Sequence, residues 1–377
     1  MLGKLHENNQ LKICYICIVL VSSYQIYIEN IAADVKILRL LFDTNLALIP
    51  YLLICLIGYF TLFTESGSKF TDNKRFIFGI ACVLVISAVV LTYAGGLDCL
   101  DYSNDNDEAL EAWIHAFFSG TYPYEARSNL GNLITPFPFL PLYSIPYYIL
   151  GDVAIQNIVN IFILLYILRG LSSNRDQLKF GLVAFFISLP VYYFLLTQSD
   201  HFTVATLTAL GIYLLHKNKF TAGSILFGCL IASKGYVWLF IPTTLYFIKY
   251  KEGYKGMIKS TLIYILVSSI FILPFVLWNP HVFFTQAPFG AEKGILSGVP
   301  LLPHPAYSIS AITIILSLLT FRKTKNLFIA FFSTYIFFGL FLFRKVMFLI
   351  TLSAILLGLD IHNKKQQEKD ITEAKIK

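Results

Sequence analysis

The chain of 377 residues is 56% hydrophobic and only 14% charged, and its formal net charge is +7. A soluble domain carries about 25% charged residues, so this composition cannot cover the water-exposed surface of a soluble protein of this length. The Lys and Arg residues gather in short clusters between apolar runs, which is typical of anchoring at a membrane face and argues against nucleic-acid binding. The composition therefore predicts an all-α polytopic membrane protein.

Apolar runs of roughly 15 to 22 residues recur along the chain, as transmembrane helices require. The first run follows Lys4 and Lys12 and lacks a small-residue cleavage site, so we expect a retained helix and not a signal peptide. We predict about twelve membrane spans, near residues 12–32, 45–64, 77–95, 153–170, 180–198, 202–216, 220–233, 235–249, 258–279, 306–321, 326–343 and 346–360.

The distribution of Lys and Arg predicts the orientation of these spans. Placing every basic cluster in the cytoplasm is consistent with all of these crossings and puts both termini inside. The apolar segment 137–150 must then not cross the membrane, and its prolines predict an interfacial or re-entrant piece. The loops 96–136 and 280–305 are predicted to lie on the outer face.

The same pattern divides the chain into three parts. Residues 1–76 are predicted to add two transmembrane helices before a transmembrane core at 77–362. Residues 363–377 form a Lys-rich end that we expect to be a cytoplasmic tail.

The outer loop 96–136 contains the densest group of carboxylates in the chain. Six of the 22 acidic residues fall between Asp98 and Glu111. Asp105-Asn106-Asp107 is a D-x-D pattern, and residues i and i+2 of an extended or turn segment point the same way. Two carboxylates could therefore approach one cation or one hydroxyl group. An acidic, solvated loop remains the structural alternative to chemistry or cation binding at this place.

From Glu108 to Ser119 the sequence EALEAWIHAFFS has the period of an amphipathic helix. Four apolar residues share one face of this helix: Leu110, Trp113, Ile114 and Phe117. This pattern predicts a short helix that lies in the headgroup region of the membrane. Gly120 is predicted to end it.

Several classes of protein are disfavoured by motifs that the sequence lacks. There is no P-loop Gly-Lys-Ser/Thr, no GxSxG and no HExxH pattern, which argues against a nucleotide-hydrolysing pump and a serine hydrolase. The cysteines show neither a disulfide framework nor a zinc-binding spacing.

The acidic cluster and the amphipathic helix are followed by two further motifs. These are Gly120-Thr121-Tyr122-Pro123-Tyr124 and the Pro-aromatic segment Thr135-Pro136-Phe137-Pro138-Phe139-Leu140-Pro141, which opens an apolar stretch. The order of these elements resembles the GT-C superfamily of integral-membrane glycosyltransferases. It is most similar to the polyprenyl-phosphate-mannose-dependent mannosyltransferases of glycosyltransferase family 87.

A later part of the chain carries the same resemblance. Family 87 chains tend to show G-Q-x-N, a long apolar span, a basic turn, A-G-x-x-x-G and K-P. Here Thr197-Gln198-Ser199-Asp200 precedes an apolar span, and a basic turn is followed by Ala222–Gly228 and Ser233-Lys234-Gly235. Thr197 and Gly235 stand where the family has glycine and proline. The agreement covers residues 96–248, with a looser match to residue 360.

The resemblance implies that residues 77–362 form a GT-C-like catalytic core. Such an enzyme would move a hexose, with mannose expected, from a polyprenyl-phosphate donor to a hydroxyl group of a lipid or glycan acceptor. Transfer would occur at the outer face with inversion, and a loop carboxylate would be the general base. Asp105 is the first candidate, followed by Asp107 and then Asp101. We expect the base to have an ordinary pKa, so that it is ionised at neutral pH.

No cofactor is implied by the resemblance, and no metal ligand set is assigned. Asp105 and Asp107 nevertheless leave room for a divalent metal, which many enzymes of the superfamily do not need.

The departing phosphate requires positive charge at the outer boundary. Arg344 and Lys345 interrupt an apolar run there, either as phosphate ligands or as snorkelling anchors. Arg127 either binds the same phosphate or pairs with an acid of the loop. Lys234 is an intramembrane lysine, which is costly and usually lines a polar cavity. It contacts the donor phosphate or stabilises a hairpin.

Three further residues are candidates for substrate binding. Tyr124 and Gln198 belong to the matched motifs, and His201 lies at the predicted outer end of its helix.

The predicted location is an integral, multi-pass position in the inner or plasma membrane, or in the endoplasmic reticulum of a eukaryote. The expected partners are the lipid-linked donor, the acceptor and membrane lipids. Two other functions stay open: a transporter or flippase of lipid-linked sugars, and a polysaccharide polymerase or ligase. The halves of the chain show no internal repeat of the kind that many transporters have. The loop 280–305 is modest for a polymerase.

Overall fold

The computed structural model describes residues 12–16, 18–20, 23, 45–63, 74–95, 106–285, 305–342 and 355–356. Within these ranges the chain forms helices and turns and no strand. The runs Arg75–Tyr93 and Gly235–Trp278 are long and apolar enough to cross a membrane, and a bent pair of helices could make a third such span. The predicted helical character is confirmed, and these helices agree with a membrane protein.

The helices of the described ranges are numbered in chain order. They are α1 (Asn45–Phe63), α2 (Lys74–Gly95), α3 (Asn106–Phe118), α4 (Phe139–Ile149), α5 (Ile155–Leu171), α6 (Arg175–Phe186), α7 (Leu189–Leu196), α8 (Asp200–His216), α9 (Phe220–Ile231), α10 (Ile241–Trp278), α11 (Pro280–Thr285), α12 (Pro305–Thr324) and α13 (Leu327–Leu342). Two short 3₁₀ helices, Pro123–Glu125 and Gly235–Phe240, precede α4 and α10.

The chain divides into two compact units. The first comprises residues 1–101, 161–196 and 343–377, and the second comprises residues 102–160 and 197–342. The predicted limits at residues 76 and 362 stay a prediction.

In the first unit, α6 packs against both α1 and α2. The hydroxyl of Tyr15 donates to the carbonyl of Cys55 over 2.6 Å, and the rings of Phe63 and Phe180 lie 6.5 Å apart. Aromatic and aliphatic side chains therefore form the interior of this unit.

A bend of 54° separates α6 and α7, where the sequence predicted one continuous span at 180–198. Pro190 has no amide hydrogen, so the carbonyl of Phe186 loses its intrahelical donor. The hydroxyl of Tyr192 donates to that carbonyl instead, over 2.6 Å. The predicted helix is therefore correct in position and wrong in continuity.

In the second unit, Gly253 divides α10 into two arms. Its φ of 74° lies in the left-handed region, which glycine adopts without a Cβ clash. The hydroxyl of Tyr264 donates to that of Thr244 over 3.0 Å, although a straight helix would separate these residues by about 30 Å. The two arms therefore pack side by side, and the break at Gly253 falls between the separate apolar segments 235–249 and 258–279 of the prediction.

The segment 137–150 contains α4, which has 11 residues. A helix of that size is about 16 Å long and cannot cross a hydrocarbon core of about 30 Å. Leu140, Pro141 and Ser144 are buried, whereas Ile149 at its end is 70% exposed. This length agrees with the prediction that the segment does not cross the membrane on its own.

Glycines allow α9 to approach its neighbours closely. A Cβ at Gly223 would lie 2.7 Å from Leu215 of α8, and a Cβ at Gly228 would lie 2.7 Å from Val267 of α10. Both separations are too short for real contacts. The A-G-x-x-x-G motif thus has a packing role in the second unit.

Candidate functional site

The acidic end of the outer loop continues into α3. Asp107 and Glu108 lie in the first turn of this helix, where the partial positive charge of a helix N-terminus favours acids. Asp107 is therefore helical and not part of the predicted extended D-x-D segment. Asp105 and Asp101 lie outside the described residues, so their predicted roles stay predictions.

The pKa of Asp107 is raised to about 9. Burial is the larger cause, and the neighbouring carboxyl of Glu108 is the second. Asp107 consequently holds a proton at neutral pH. The expectation of an ordinary pKa is wrong for this candidate, because the sequence showed the adjacent Glu108 but not the burial of Asp107. Burial also raises the pKa of Glu111.

The apolar face of α3 is covered by protein. Leu110, Trp113 and Ile114 are each fully buried, and the ring of Trp113 lies 5.1 Å from that of Phe275 in α10. The predicted amphipathic pattern is confirmed, and the position of this helix in the headgroup region stays a prediction. The second arm of α10 covers the apolar face.

Gly120 ends α3, as predicted. Its φ is 73°, and its amide donates to the carbonyl of Phe117 over 3.2 Å. The amide of Thr121 donates to the carbonyl of Ala116 over 3.0 Å. These two bonds form a Schellman motif, which satisfies the last carbonyls of the helix.

Tyr124 is a buried packing residue. Its side chain is fully buried, and its hydroxyl donates to the carbonyl of Pro136 over 3.0 Å. Its ring makes edge contacts with Trp113 and Phe283. These contacts connect the G-x-x-P-Y motif to the Pro-aromatic segment, and they account for this tyrosine without a substrate.

A buried ion pair lies in the second unit. The ammonium of Lys234 is 2.9 Å from a carboxylate oxygen of Asp200, and the two side chains are 5% and 1% exposed. Each charge offsets the desolvation cost of the other. Asp200 is the first residue of α8, so the helix N-terminus adds a partial positive charge beside the carboxylate.

Thr135 connects the Pro-aromatic segment to this ion pair. The ammonium of Lys234 donates to the hydroxyl of Thr135 over 3.3 Å, between residues 99 positions apart in the chain. Two backbone bonds run beside this contact. The amide of Phe137 donates to the carbonyl of Ser233 over 2.8 Å, and the amide of Phe139 donates to that of Ala232 over 2.8 Å. The two motif regions of the sequence therefore meet around one buried cation.

His201 and Gln198 belong to the same cluster. The Nε2 of His201 lies 3.9 Å from the carboxylate of Asp200, and its Nδ1 lies 3.4 Å from the hydroxyl of Tyr236. Gln198 is buried and has a φ of 48° in the turn before α8. Two predicted site residues, His201 and Lys234, thus lie within 3.9 Å of Asp200, and Gln198 precedes it in the turn before α8.

Arg127 lies elsewhere on the second unit. Its side chain is exposed and makes no ion pair with any residue that the structure describes, so pairing with Glu125 or Asp107 does not occur. The carboxylate of Glu125 instead accepts from the side-chain Nδ2 of Asn279 over 3.2 Å. Arg344 and Lys345 lie outside the described residues, and the choice between phosphate ligands and anchors stays open.

The sequence reasoning missed Asp200 as the partner of Lys234. A signal was present, because Asp200 is the only acidic residue between Asp176 and Glu252, and a buried lysine needs a counterion. Thr135 had no comparable signal, since nothing in the local sequence indicates that its hydroxyl faces a cation.

No group of three or more His, Cys, Asp or Glu side chains suited to a metal occurs in the part of the chain that the structure describes. A metal at Asp105 and Asp107 stays a prediction, since Asp105 is outside that part.

Comparison with known proteins gives no relative. No family model, no curated protein and no solved structure matches the chain.

Proposed function

We propose that the chain is an integral-membrane glycosyltransferase. It would move a hexose, with mannose as the first candidate, from a polyprenyl-phosphate donor to a hydroxyl group of a lipid or glycan acceptor. One observation carries the proposal. The contact between Thr135 and Lys234 joins the two regions whose motifs resemble family 87, and their meeting at a buried cation supports a common site for a phosphate-bearing substrate.

The proposed reaction is a displacement at the anomeric carbon of the donor sugar. The oxygen of the acceptor hydroxyl forms a new bond to this carbon, and the bond from the carbon to the phosphate oxygen breaks. The electron pair of the broken bond leaves with the polyprenyl phosphate. A carboxylate takes the proton of the attacking hydroxyl. Attack from the side opposite the phosphate inverts the anomeric configuration.

Asp105 is proposed as the base, with Asp101 behind it. The raised pKa of Asp107 weighs against this residue as a proton acceptor at neutral pH. A protonated Asp107 can still donate a hydrogen bond, which would let it orient a substrate or the base beside it.

Lys234 is proposed to contact the departing phosphate. In that state the phosphate would share the ammonium with Asp200, which holds it in the free protein. Arg127 is exposed and could meet the same negative charge. Arg344 and Lys345 are proposed as further cations at the outer boundary.

The proposed enzyme crosses the membrane about twelve times, with both termini in the cytoplasm and its site on the non-cytoplasmic face. The two helices before residue 77 would be an addition to a core at 77–362. The two or three long apolar helices of the described ranges support the membrane location.

The direct test is transfer of a radiolabelled hexose from a polyprenyl phosphate by membranes that contain the chain. Asp105→Asn is expected to lower the rate by about 100-fold or more, the usual effect of losing a general base. Asp107→Asn should stay within a few fold of wild type, and Asp176→Asn, outside the proposed site, is the matched control. Equal activity in all three variants would rule out Asp105 as the base. Absence of transfer with every hexose tried would contradict the proposed function.

A transporter or flippase of lipid-linked sugars is the second candidate. The buried Asp200–Lys234 pair favours it, because ionisable pairs within membrane helices often mark a transport path. Reconstituted vesicles separate the two functions. Movement of the lipid-linked sugar between leaflets without transfer to an acceptor would favour the transporter.

A further inference from the structure

Buried amide side chains lie on the first two turns of α5. Asn157 and Asn160 are both fully buried. Their spacing of three residues places them on one face of the helix. A buried amide costs several kcal/mol unless its polar atoms are hydrogen-bonded, so the partners of these side chains must be accounted for atom by atom.

Both side chains have polar atoms without a hydrogen-bond partner. Asn160 donates from Nδ2 to the hydroxyl of Thr203 in α8 over 2.7 Å, and its Oδ1 has no partner. Asn157 has no partner at either Nδ2 or Oδ1.

Two neighbouring side chains extend this set. The hydroxyl of Thr206, one turn beyond Thr203 on α8, is buried and unpaired. Gln156 accepts from the hydroxyl of Ser144 in α4 over 2.9 Å, and its Nε2 is unpaired. Thr208 on the same helix behaves in the ordinary way, since its hydroxyl donates to the carbonyl of Val204 over 2.7 Å. On α8, the unpaired hydroxyl of Thr206 therefore contrasts with the paired hydroxyl of Thr208.

The region of these unpaired groups adjoins the ion pair. Thr203, which holds Asn160, follows Asp200 by three residues on α8. One helical turn is about 5.4 Å long. The amide cluster thus begins roughly one turn from the Asp200–Lys234 contact.

The chemistry of the unpaired atoms identifies the class of ligand. They include donors, at Asn157 and Gln156, and acceptors, at Asn157 and Asn160, and they carry no charge. A cation would be bound by oxygens alone, and a phosphate would be bound by donors alone. A hydroxyl group both donates and accepts, so a ligand with several hydroxyl groups fits this mixture.

We propose that Asn157, Asn160 and Thr206 bind the hydroxyl groups of the transferred sugar, next to the phosphate position at Lys234. This inference rests on the proposed function and adds the residues that select the sugar. Gln156, held by Ser144, would orient the face of α5 on which these side chains lie.

The test compares the binding of two probes by the purified full chain in detergent. One probe is undecaprenyl phosphate, and the other is the same lipid carrying a mannosyl group on its phosphate. Wild type should bind the mannosyl compound more tightly. Asn157→Leu should reduce this difference by about ten-fold, the worth of one or two neutral hydrogen bonds, and should leave binding of the lipid phosphate unchanged.

The stability of the ligand-free protein supplies a second readout. Asn157→Leu replaces an unpaired buried amide by an apolar group of similar size, so its melting temperature should equal or exceed that of wild type. Thr208→Val is the matched control, which removes a paired hydroxyl of α8 and should leave the mannosyl preference intact.

Each remaining outcome overturns the inference. A mannosyl preference that survives both Asn157→Leu and Asn160→Leu removes these residues from the sugar site but leaves the proposed function standing. Equal binding of the two probes by wild type also removes these residues from the sugar site and leaves the proposed function standing. Binding of neither probe by wild type overturns the proposed function as well.

Discussion

Two carboxyl groups begin helices of the second unit, and their nearest neighbours differ. Asp107, in the first turn of α3, lies beside Glu108, and burial raises its pKa to about 9. Asp200, the first residue of α8, lies 2.9 Å from the ammonium of Lys234. Both positions have the partial positive charge of a helix N-terminus. That charge alone is therefore not decisive. Burial first and the adjacent carboxyl of Glu108 second raise the pKa of Asp107, whereas Asp200 pairs with the ammonium of Lys234.

The surroundings of the two carboxyl groups are also stabilised by different forces. The α3 region is α3 with the aromatic rings packed on it, and the Asp200 region is Asp200 with Lys234, His201 and Thr135. The α3 region depends on aromatic packing, since Trp113 has the rings of Phe117, Tyr124 and Phe275 within 6.1 Å. The Asp200 region depends on charge compensation and on polar contacts. Loss of one charge should damage the second region severely, whereas the first should tolerate it.

The largest expected effect comes from breaking the ion pair. Lys234→Met leaves Asp200 buried without its cation, which should cost about 3–5 kcal/mol of stability. Chemical unfolding of the purified protein in detergent measures this loss. Lys259→Met is the control, because Lys259 is exposed and its ammonium donates to the hydroxyl of Thr221 over 3.1 Å.

A double variant separates charge compensation from packing. Lys234→Met combined with Asp200→Asn removes both charges, so most of the lost stability should return. If Lys234→Met alone costs no more than Lys259→Met, the pair does not stabilise the second unit and the comparison between the regions fails.

The next effect depends on pH and concerns Asp107. Its pKa in the folded protein is about 9, against an ordinary value of 3.8, so the folded state binds the proton more tightly than the unfolded state does. The stability that this proton provides is complete below pH 3.8 and declines as the pH rises to about 9. Asp107→Asn cannot lose a proton and should flatten this decline.

Melting temperatures measured between pH 5 and pH 9 provide the check. Wild type should lose stability with rising pH more steeply than Asp107→Asn, and the variant should be the more stable protein near pH 8. Equal declines in the two proteins would show that the pKa of Asp107 is not raised in the folded protein.

The sequence predicted the elements of the α3 region well but not their surroundings. The apolar period placed a helix at Glu108–Ser119 and Gly120 at its end, and the structure has Asn106–Phe118 with Gly120 at φ 73°. The apolar period of a helix predicts that one face is buried, but it does not identify the residues that bury it. Phe275, which covers Trp113, lies far along the chain. The burial that raises the pKa of Asp107 is likewise not visible in the local sequence.

In the Asp200 region the sequence predicted the members more readily than their contacts. Lys234 was recognisable because a lysine within apolar sequence is costly. Gln198 came from the resemblance, and His201 from its place at the predicted outer end of its helix. The partners Asp200 and Thr135 are set by how α8, the Pro-aromatic segment and the turn before Gly235–Phe240 pack together. No local pattern encodes that packing.

A smaller effect is expected from Thr135→Val, which keeps the shape of the side chain and removes its hydroxyl. The ammonium of Lys234 would lose a bond of 3.3 Å but keep Asp200 at 2.9 Å. We expect a loss of about 1.5 kcal/mol, the lower end for a hydrogen bond to a charged group. In the Lys234→Met background the same substitution should cost nothing further, since its partner is gone. A full loss in that background would mean that Thr135 stabilises the protein by other contacts.

The smallest expected change in stability comes from a substitution that strains the backbone at the end of α3. Gly120 has a φ of 73° and nothing within 4 Å of an added Cβ, while Gly79 of α2 has the same open space and lies within a regular helix. Gly120→Ala should therefore cost about 1 kcal/mol through left-handed strain alone, whereas Gly79→Ala should be neutral or slightly stabilising because alanine favours a helix. Thermal unfolding of the two variants gives the comparison. Equal effects would mean that the end of α3 rearranges without strain, and that aromatic packing alone holds this region.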